Sequence, residues 1–151
     1  IFGWAKPVPV DPSNFRSPKW GDVRVSLAGI TANLVLAFLC TVALVPIVLF
    51  EPDGGSLAGA FAVAGDMAEF GIFINLILAV FNLIPIPPLD GSHVVYQLLP
   101  RAWGERYREL GRYGILVLLG ALVFAPGVFR VLLWPVRALM GAADAFIGLW
   151  I

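Results

Sequence analysis

The 151 residues are 60% hydrophobic and 13% charged, with a mean hydropathy of +0.89, whereas a soluble domain carries about 25% charged residues. A chain this short cannot bury so much apolar surface within itself, so a water-soluble globule is excluded and a bilayer becomes the expected solvent. Zero net charge and a single cysteine, Cys40, give no reason for a nucleic-acid partner and leave no internal disulfide or cysteine-based metal cluster.

Residues 1–22 are polar and proline-spaced, with Pro7, Pro9, Pro12 and Pro18 excluding a helix interior. This segment reads as a loop at the membrane surface, or more specifically as an extended edge over Lys6-Pro7-Val8-Pro9-Val10. Ile1 is not a start methionine and no signal peptide opens the chain, so residues upstream are expected. Val25 to Phe50 contains no charged residue and is long enough to cross a hydrocarbon core of ~30 Å, with Pro46 placed to kink its end. Residues 51–69 carry Glu51, Asp53, Asp66 and Glu69 but no Lys or Arg, and Asp53-Gly54-Gly55-Ser56 reads as a turn.

Phe70 to Leu89 is a second uncharged stretch of spanning length, ending in Pro85-Ile86-Pro87-Pro88, where an ordinary helix cannot continue. A short helical pattern follows over Val94 to Leu99, then a basic segment containing Arg101, Arg106, Arg108 and Arg112. Tyr113 to Phe129 is a third apolar run. The last stretch, 131–151, is interrupted by Pro135, Arg137 and Asp144, and its composition leaves open whether it spans or lies in the interface. Lys6, Arg16, Lys19 and Arg24 precede the first span and the four arginines follow the second. The positive-inside rule therefore places 1–24 and 100–112 in the cytoplasm and the acidic segment outside. The expected fold class is an all-α, multi-pass transmembrane helical bundle in the cell membrane, a single membrane domain over 1–151. Its spans are expected near 25–50, 70–89 and 113–129, with a helix broken before Asp90.

Asp90 is the residue most suggestive of chemistry. It follows an uncharged run of spanning length, and a carboxylate at that depth costs several kcal/mol unless it is paired, protonated or bound to a cation. Broken helices ending on a carboxylate are one way that membrane proteins build internal polar sites. The plain alternative is a helix N-cap, since Asp90-Gly91-Ser92-His93 precedes Val94-Val95-Tyr96. His93, the sole histidine, stands at i+3 from Asp90 and could share a metal with it. A lone interfacial histidine is more often a hydrogen-bonding group. Asn33, Asn75 and Asn82 lie in apolar runs, where helix-to-helix hydrogen bonding is their ordinary role, and Gly29 with Ala32 and Asn33 reads as a close-packing face.

The string Phe81-Asn82-Leu83-Ile84-Pro85-Ile86-Pro87-Pro88-Leu89-Asp90-Gly91 resembles the second signature of the site-2 protease family, N-x-x-P-x-x-P-L-D-G. Gly3-Trp4-Ala5-Lys6-Pro7-Val8-Pro9-Val10 with Asn14-Phe15 is similar to the family's segment after its first catalytic helix. Ser26-Leu27-Ala28-Gly29-Ile30-Thr31-Ala32-Asn33 resembles its A-G-P-x-A-N helix start, with Ile30 in place of the usual proline. The resemblance covers roughly residues 1–100, and three stretches in the family's order are far more specific than an L-D-G tripeptide alone.

What the resemblance implies is a zinc-dependent intramembrane endopeptidase, acting on membrane-protein or peptide substrates in the lipid bilayer. In such a family an H-E-x-x-H helix supplies two histidine ligands and the glutamate base. Asp90 matches the third zinc ligand, and Asn82 matches the motif asparagine, near the scissile bond and able to orient substrate backbone. The Lys6–Val10 segment would offer an edge to an unwound substrate. No H-E-x-x-H occurs in the chain, an absence for which truncation is a better account than degeneration, so the 151 residues alone are expected to be inactive. Two rival readings stand beside the enzyme. One is an inactive relative serving as a membrane scaffold, and the other is a transporter using Asp90 as an ion site.

Overall fold

The computed structural model describes residues 18–151, and its regular elements are all helices. They are α1 (Pro18–Leu49), α2 (Ser56–Asn82), α3 (Asp90–Leu98), α4 (Arg101–Phe124), α5 (Pro126–Leu132) and α6 (Trp134–Ile147). The Lys6–Val10 edge and the Gly3–Phe15 resemblance lie outside the described residues.

Two helices are long and apolar enough to cross a membrane, over Trp20–Leu49 and Leu57–Asn82. The first takes in the expected 25–50 run. Pro46 lies in its last turn, where the helix persists to Leu49 and Phe50 N–H donates to the Pro46 carbonyl at 3.1 Å. A proline so near the end has few carbonyls left to disturb. Gly55, at φ 90°, makes the turn into α2, a conformation that only glycine adopts without strain.

The second long helix starts earlier than the expected residue 70. The acidic stretch is a loop only as far as Gly55, and Asp66 and Glu69 stand exposed on α2. The reason lies in Leu57 to Ala68, rich in alanine, which has the highest helix propensity. Two carboxylates on an exposed face do not oppose that preference. At its far end α2 stops at Asn82, before the prolines.

α1 and α2 form an antiparallel hairpin. Gly65 faces Leu44 and Ile47, and six residues later Gly71 faces Cys40. A Cβ at Gly71 would come within 2.7 Å of Cys40 Sγ, so glycine is what lets the two helices approach here. Close approach of α1 to α2 thus occurs at Gly71, whereas Gly29 faces α3 and the carboxylate of Asp90. The core is Ala37, Leu44, Ile72 and Leu76 from the hairpin, completed by Val136 and Ile147 of α6. The outward faces stay apolar, with Phe38 60% and Phe70 63% exposed, as expected where lipid and not water is the neighbour.

The hydroxyl of Thr41 and the amide of Asn75 turn back onto carbonyls of their own helices, Ala37 and Gly71, at 3.0 and 2.8 Å. Asn75 thus spends an amide N–H within α2, and among the described residues it makes no hydrogen bond to another helix. The third apolar run is divided: α4 begins at Arg101, its uncharged part ends at Phe124, and α5 restarts at Pro126. In α6, 14 residues rise about 21 Å, short of a ~30 Å hydrocarbon core.

Candidate functional site

Between α2 and α3 the chain is non-helical from Leu83 to Leu89. The prolines supply the reason: each removes a backbone donor and fixes φ. What remains is tied locally, with Ile86 N–H on the Ile84 carbonyl at 2.8 Å and Leu89 N–H on the Ile86 carbonyl at 3.0 Å. The Pro87–Pro88 peptide is cis. Gly91 then packs so tightly that a Cβ there would be driven into the Leu83 carbonyl and would meet the Ile84 oxygen at 2.9 Å. The glycine after Asp90 is therefore a steric requirement of this turn, because the obstructing atoms are backbone and cannot swing away.

Asp90 is the first residue of α3. The residue before it, Leu89, occupies the cap position in an extended conformation and makes no side-chain cap bond. The N-cap alternative for Asp90 is thus replaced by a place inside the first turn, where a carboxylate faces unpaired backbone N–H groups. Asp90 is half-buried, and its carboxylate lies against α1: a Cβ on Gly29 would sit 3.4 Å from Asp90 Oδ2. Among the described residues it has no cationic partner. The hairpin register brings Asn82 to the same level, because eleven residues beyond Gly71 on α2 correspond to eleven before Cys40 on α1, which is Gly29.

His93, one turn along α3, meets α1 at a different residue. Its Nδ1 lies 3.2 Å from both carboxylate oxygens of Asp22, and Gln97 Nε2 donates to Asp22 Oδ2 at 3.1 Å. The histidine that could have shared a metal with Asp90 is therefore engaged by a carboxylate of α1. Among the described residues no cluster of three or more His, Cys, Asp or Glu side chains can hold a metal ion. The described residues around Asp90 therefore do not make up a metal site by themselves.

α4 braces the loop from behind. Tyr107 Oη donates to the Pro85 carbonyl at 2.8 Å, and burial raises the Tyr107 phenol above its ordinary range, which keeps the hydroxyl a donor. Gly111 meets Pro87 Cβ, with a Cβ clearance of only 3.0 Å, and a Cβ at Gly114 would fall onto the Pro87 carbonyl. Arg108 stacks 4.6 Å from the Tyr96 ring centre. A cavity of about 130 Å³ lies among Pro87, Ser92, His93, Tyr96, Tyr107 and Arg108, on a lining that does not include Asp90. Sequence reasoning did not find Asp22, Gln97, Tyr107 or the α4 glycines. The available signals were that Asp22 is the sole acidic residue of α1 and that Gly104, Gly111 and Gly114 fall on one helical face.

Residues 46–125, just over half of the chain, match the family model described as Peptidase family M50. The string Phe81–Gly91 lies inside that match and Ser26–Asn33 lies before it. The chain is 38% identical over 136 residues to the Bacillus subtilis protein named "Putative zinc metalloprotease YwhC", covering 89% of this chain and 59% of that relative. It is 40% identical over 72 residues to "Putative zinc metalloprotease MJ0611" of Methanocaldococcus jannaschii, covering 48% of this chain and 32% of the relative. The chain thus spans about three-fifths of the length of the first relative and about one-third of the second. No solved structure matches it. With the proline-bounded L-D-G turn and the family match in agreement, the chain belongs to peptidase family M50, the site-2 protease family.

Proposed function

We propose that this chain forms one side of the catalytic centre of a zinc-dependent intramembrane endopeptidase, with Asp90 as a zinc ligand and Asn82 holding substrate backbone. The observation that carries the reading is the seat of Asp90. A carboxylate without a cationic partner among the described residues rests on Gly29, at the end of a proline-bounded turn between two apolar helices. Such a group is costly in a bilayer unless a cation neutralises it. Beside it, Ala28, Gly29 and Ala32 form an exposed, small-residue face of α1, with room for further ligands from another segment of the whole protein. By resemblance these are the two histidines of an H-E-x-x-H helix, whose glutamate serves as general base. Zinc held by two imidazoles and a carboxylate supplies a bound water acidic enough to deprotonate near neutral pH. This chain's own share is to fix the carboxylate, to exclude bulk water with the hairpin, and to present Asn82, level with Asp90, to an unwound peptide.

The reading includes two membrane crossings, α1 and α2, in the cell membrane. The contact of Asp22 with His93 and Gln97 puts the start of α1 and the body of α3 at the same end of the hairpin. Arg24, Arg106, Arg108 and Arg112 are all exposed, which suits a shared cytoplasmic side.

The test is zinc content and affinity of the full-length protein in detergent, beside Asp90→Ala and Asn82→Ala. One zinc per chain is expected, with affinity reduced about 100-fold or more in Asp90→Ala. Asn82→Ala should keep its zinc and lose peptide cleavage. A folded protein whose zinc, if any, is indifferent to Asp90→Ala would sink the metalloprotease reading and leave the inactive scaffold or the transporter.

A further inference from the structure

Asp22 takes two hydrogen bonds from α3, from His93 Nδ1 at 3.2 Å and Gln97 Nε2 at 3.1 Å. The donors stand at i and i+4, one above the other on a single helix face, and Asp90 lies one turn before His93 on that same face. On α1, Asp22, Ser26 and Gly29 likewise share a face, and Ser26 is buried. The two faces run antiparallel in one register: Asp22 meets Gln97 and His93 at one end, and Gly29 meets Asp90 at the other. Seven residues separate the ends on each helix, a rise of about 10.5 Å on both.

We propose that Asp22, His93 and Gln97 are positioning residues that lock the rotation of α3 and thereby aim the Asp90 carboxylate. The proposal rests on Asp90 being a zinc ligand. A single hydrogen bond lets a helix pivot about the contact. Two bonds from successive turns to one carboxylate remove both rotation and sliding. The precision matters because side-chain ends lie about 5–6 Å from a helix axis, so a turn of about 20° moves the carboxylate by about 2 Å. That displacement equals a whole zinc–oxygen bond of about 2 Å. α3 has only 9 residues and no side-chain cap bond at its start, so beyond the backbone packing of Gly91 no side-chain bond of its own first turn fixes this angle. The role requires His93 to carry its proton on Nδ1, as a donor to Asp22. It makes the histidine an orienting group and not a ligand.

The experiment measures zinc affinity of the full-length protein and the visible d–d bands of its cobalt-substituted form. Asp22→Leu should weaken zinc about tenfold and shift the cobalt bands. Asp22→Asn, whose amide oxygen still accepts both bonds, should stay within about threefold of wild type. His93→Ala, which removes one of the two bonds, should lose less than Asp22→Leu, and the double variant should lose little more than Asp22→Leu, which already removes both. If Asp22→Leu does not fold, Gln97→Met, which removes one bond, carries the same test through a smaller loss and band shift. Wild-type affinity and an unmoved spectrum in the folded variants overturn the proposal while Asp90→Ala still removes zinc. Complete zinc loss in His93→Ala alone, equal to Asp90→Ala, also overturns it, because His93 would then be a ligand. Zinc indifferent to Asp90→Ala overturns the underlying reading and this proposal with it.

Discussion

The α1–α2 hairpin and the α3–α4 end are held together in different ways. The hairpin is an apolar contact of two long helices, with its core in Ala37, Leu44, Ile72 and Leu76 and its tightest point at Cys40 against Gly71. Its polar side chains, such as Thr41 and Asn75, bond to their own helices. The α3–α4 end has short elements and specific polar contacts: Asp22 to His93 and Gln97, Tyr107 to Pro85, Arg108 on Tyr96. An apolar hairpin can tolerate small shifts, because its side chains adjust to what opens. A turn that aims one carboxylate cannot, and its tight points are accordingly backbone against backbone. The contrast predicts that equal added volume costs more at the turn than in the hairpin.

The largest effect is expected at Gly114. A methyl there would fall on the Pro87 carbonyl, and neither α4 backbone nor a proline peptide can yield to it locally. Gly114→Ala should cost about 3 kcal/mol, at the upper end of overpacking penalties, and separate α4 from the loop. Thermal unfolding in detergent would show this as a large drop in midpoint, or as failure to fold. A wild-type midpoint would mean that α4 does not brace the turn.

A smaller loss is expected in the hairpin. The Cβ of Gly71→Ala would press on Cys40 Sγ at 2.7 Å, but the obstruction is a side-chain atom that can change rotamer. The cost should be about 1 kcal/mol. It should be relieved by Cys40→Ala in the same chain, since the two changes share one contact. If Gly71→Ala proved as damaging as Gly114→Ala, the distinction between the two regions would not hold.

The same contrast separates what the sequence discloses from what it does not. Uncharged runs and prolines are compositional, so the apolar helix over 25–50, the end of the second at the prolines and the placing of Asp90 at a turn could be read directly. The start of α2 could not, because the span was taken from the uncharged run beginning at Phe70, whereas exposed Asp66 and Glu69 do not prevent a helix and the alanines before them favour one. The partners of Asp90 and His93 escaped for a different reason. Asp22 and His93 are 71 positions apart, and only the antiparallel packing of α1 on α3 makes them neighbours. Local pattern contains no record of such a pairing. The α4 glycines were visible as letters, but their meaning depends on the Pro87 carbonyl that they approach.

The finest distinction is offered by Tyr107. Its hydroxyl donates to the Pro85 carbonyl, an acceptor freed because the chain is non-helical there, so the bond is a tertiary tie on the loop. Tyr107→Phe keeps the ring and removes only that bond. Because the contact is exposed, water can replace part of it, and the stability loss should be about 0.5 kcal/mol, the lower end for a hydrogen bond. A melting curve alone would barely register such a change. The informative measurement is hydrogen exchange at Ile86 and Leu89, whose N–H groups close the loop's own turns. Faster exchange there, with Cys40 and its neighbours in the hairpin unchanged, would show that α4 restrains the turn and not the scaffold. Equal exchange in both forms would mean that the prolines and Gly91 fix the turn without help, and that the brace consists of the glycine contacts alone.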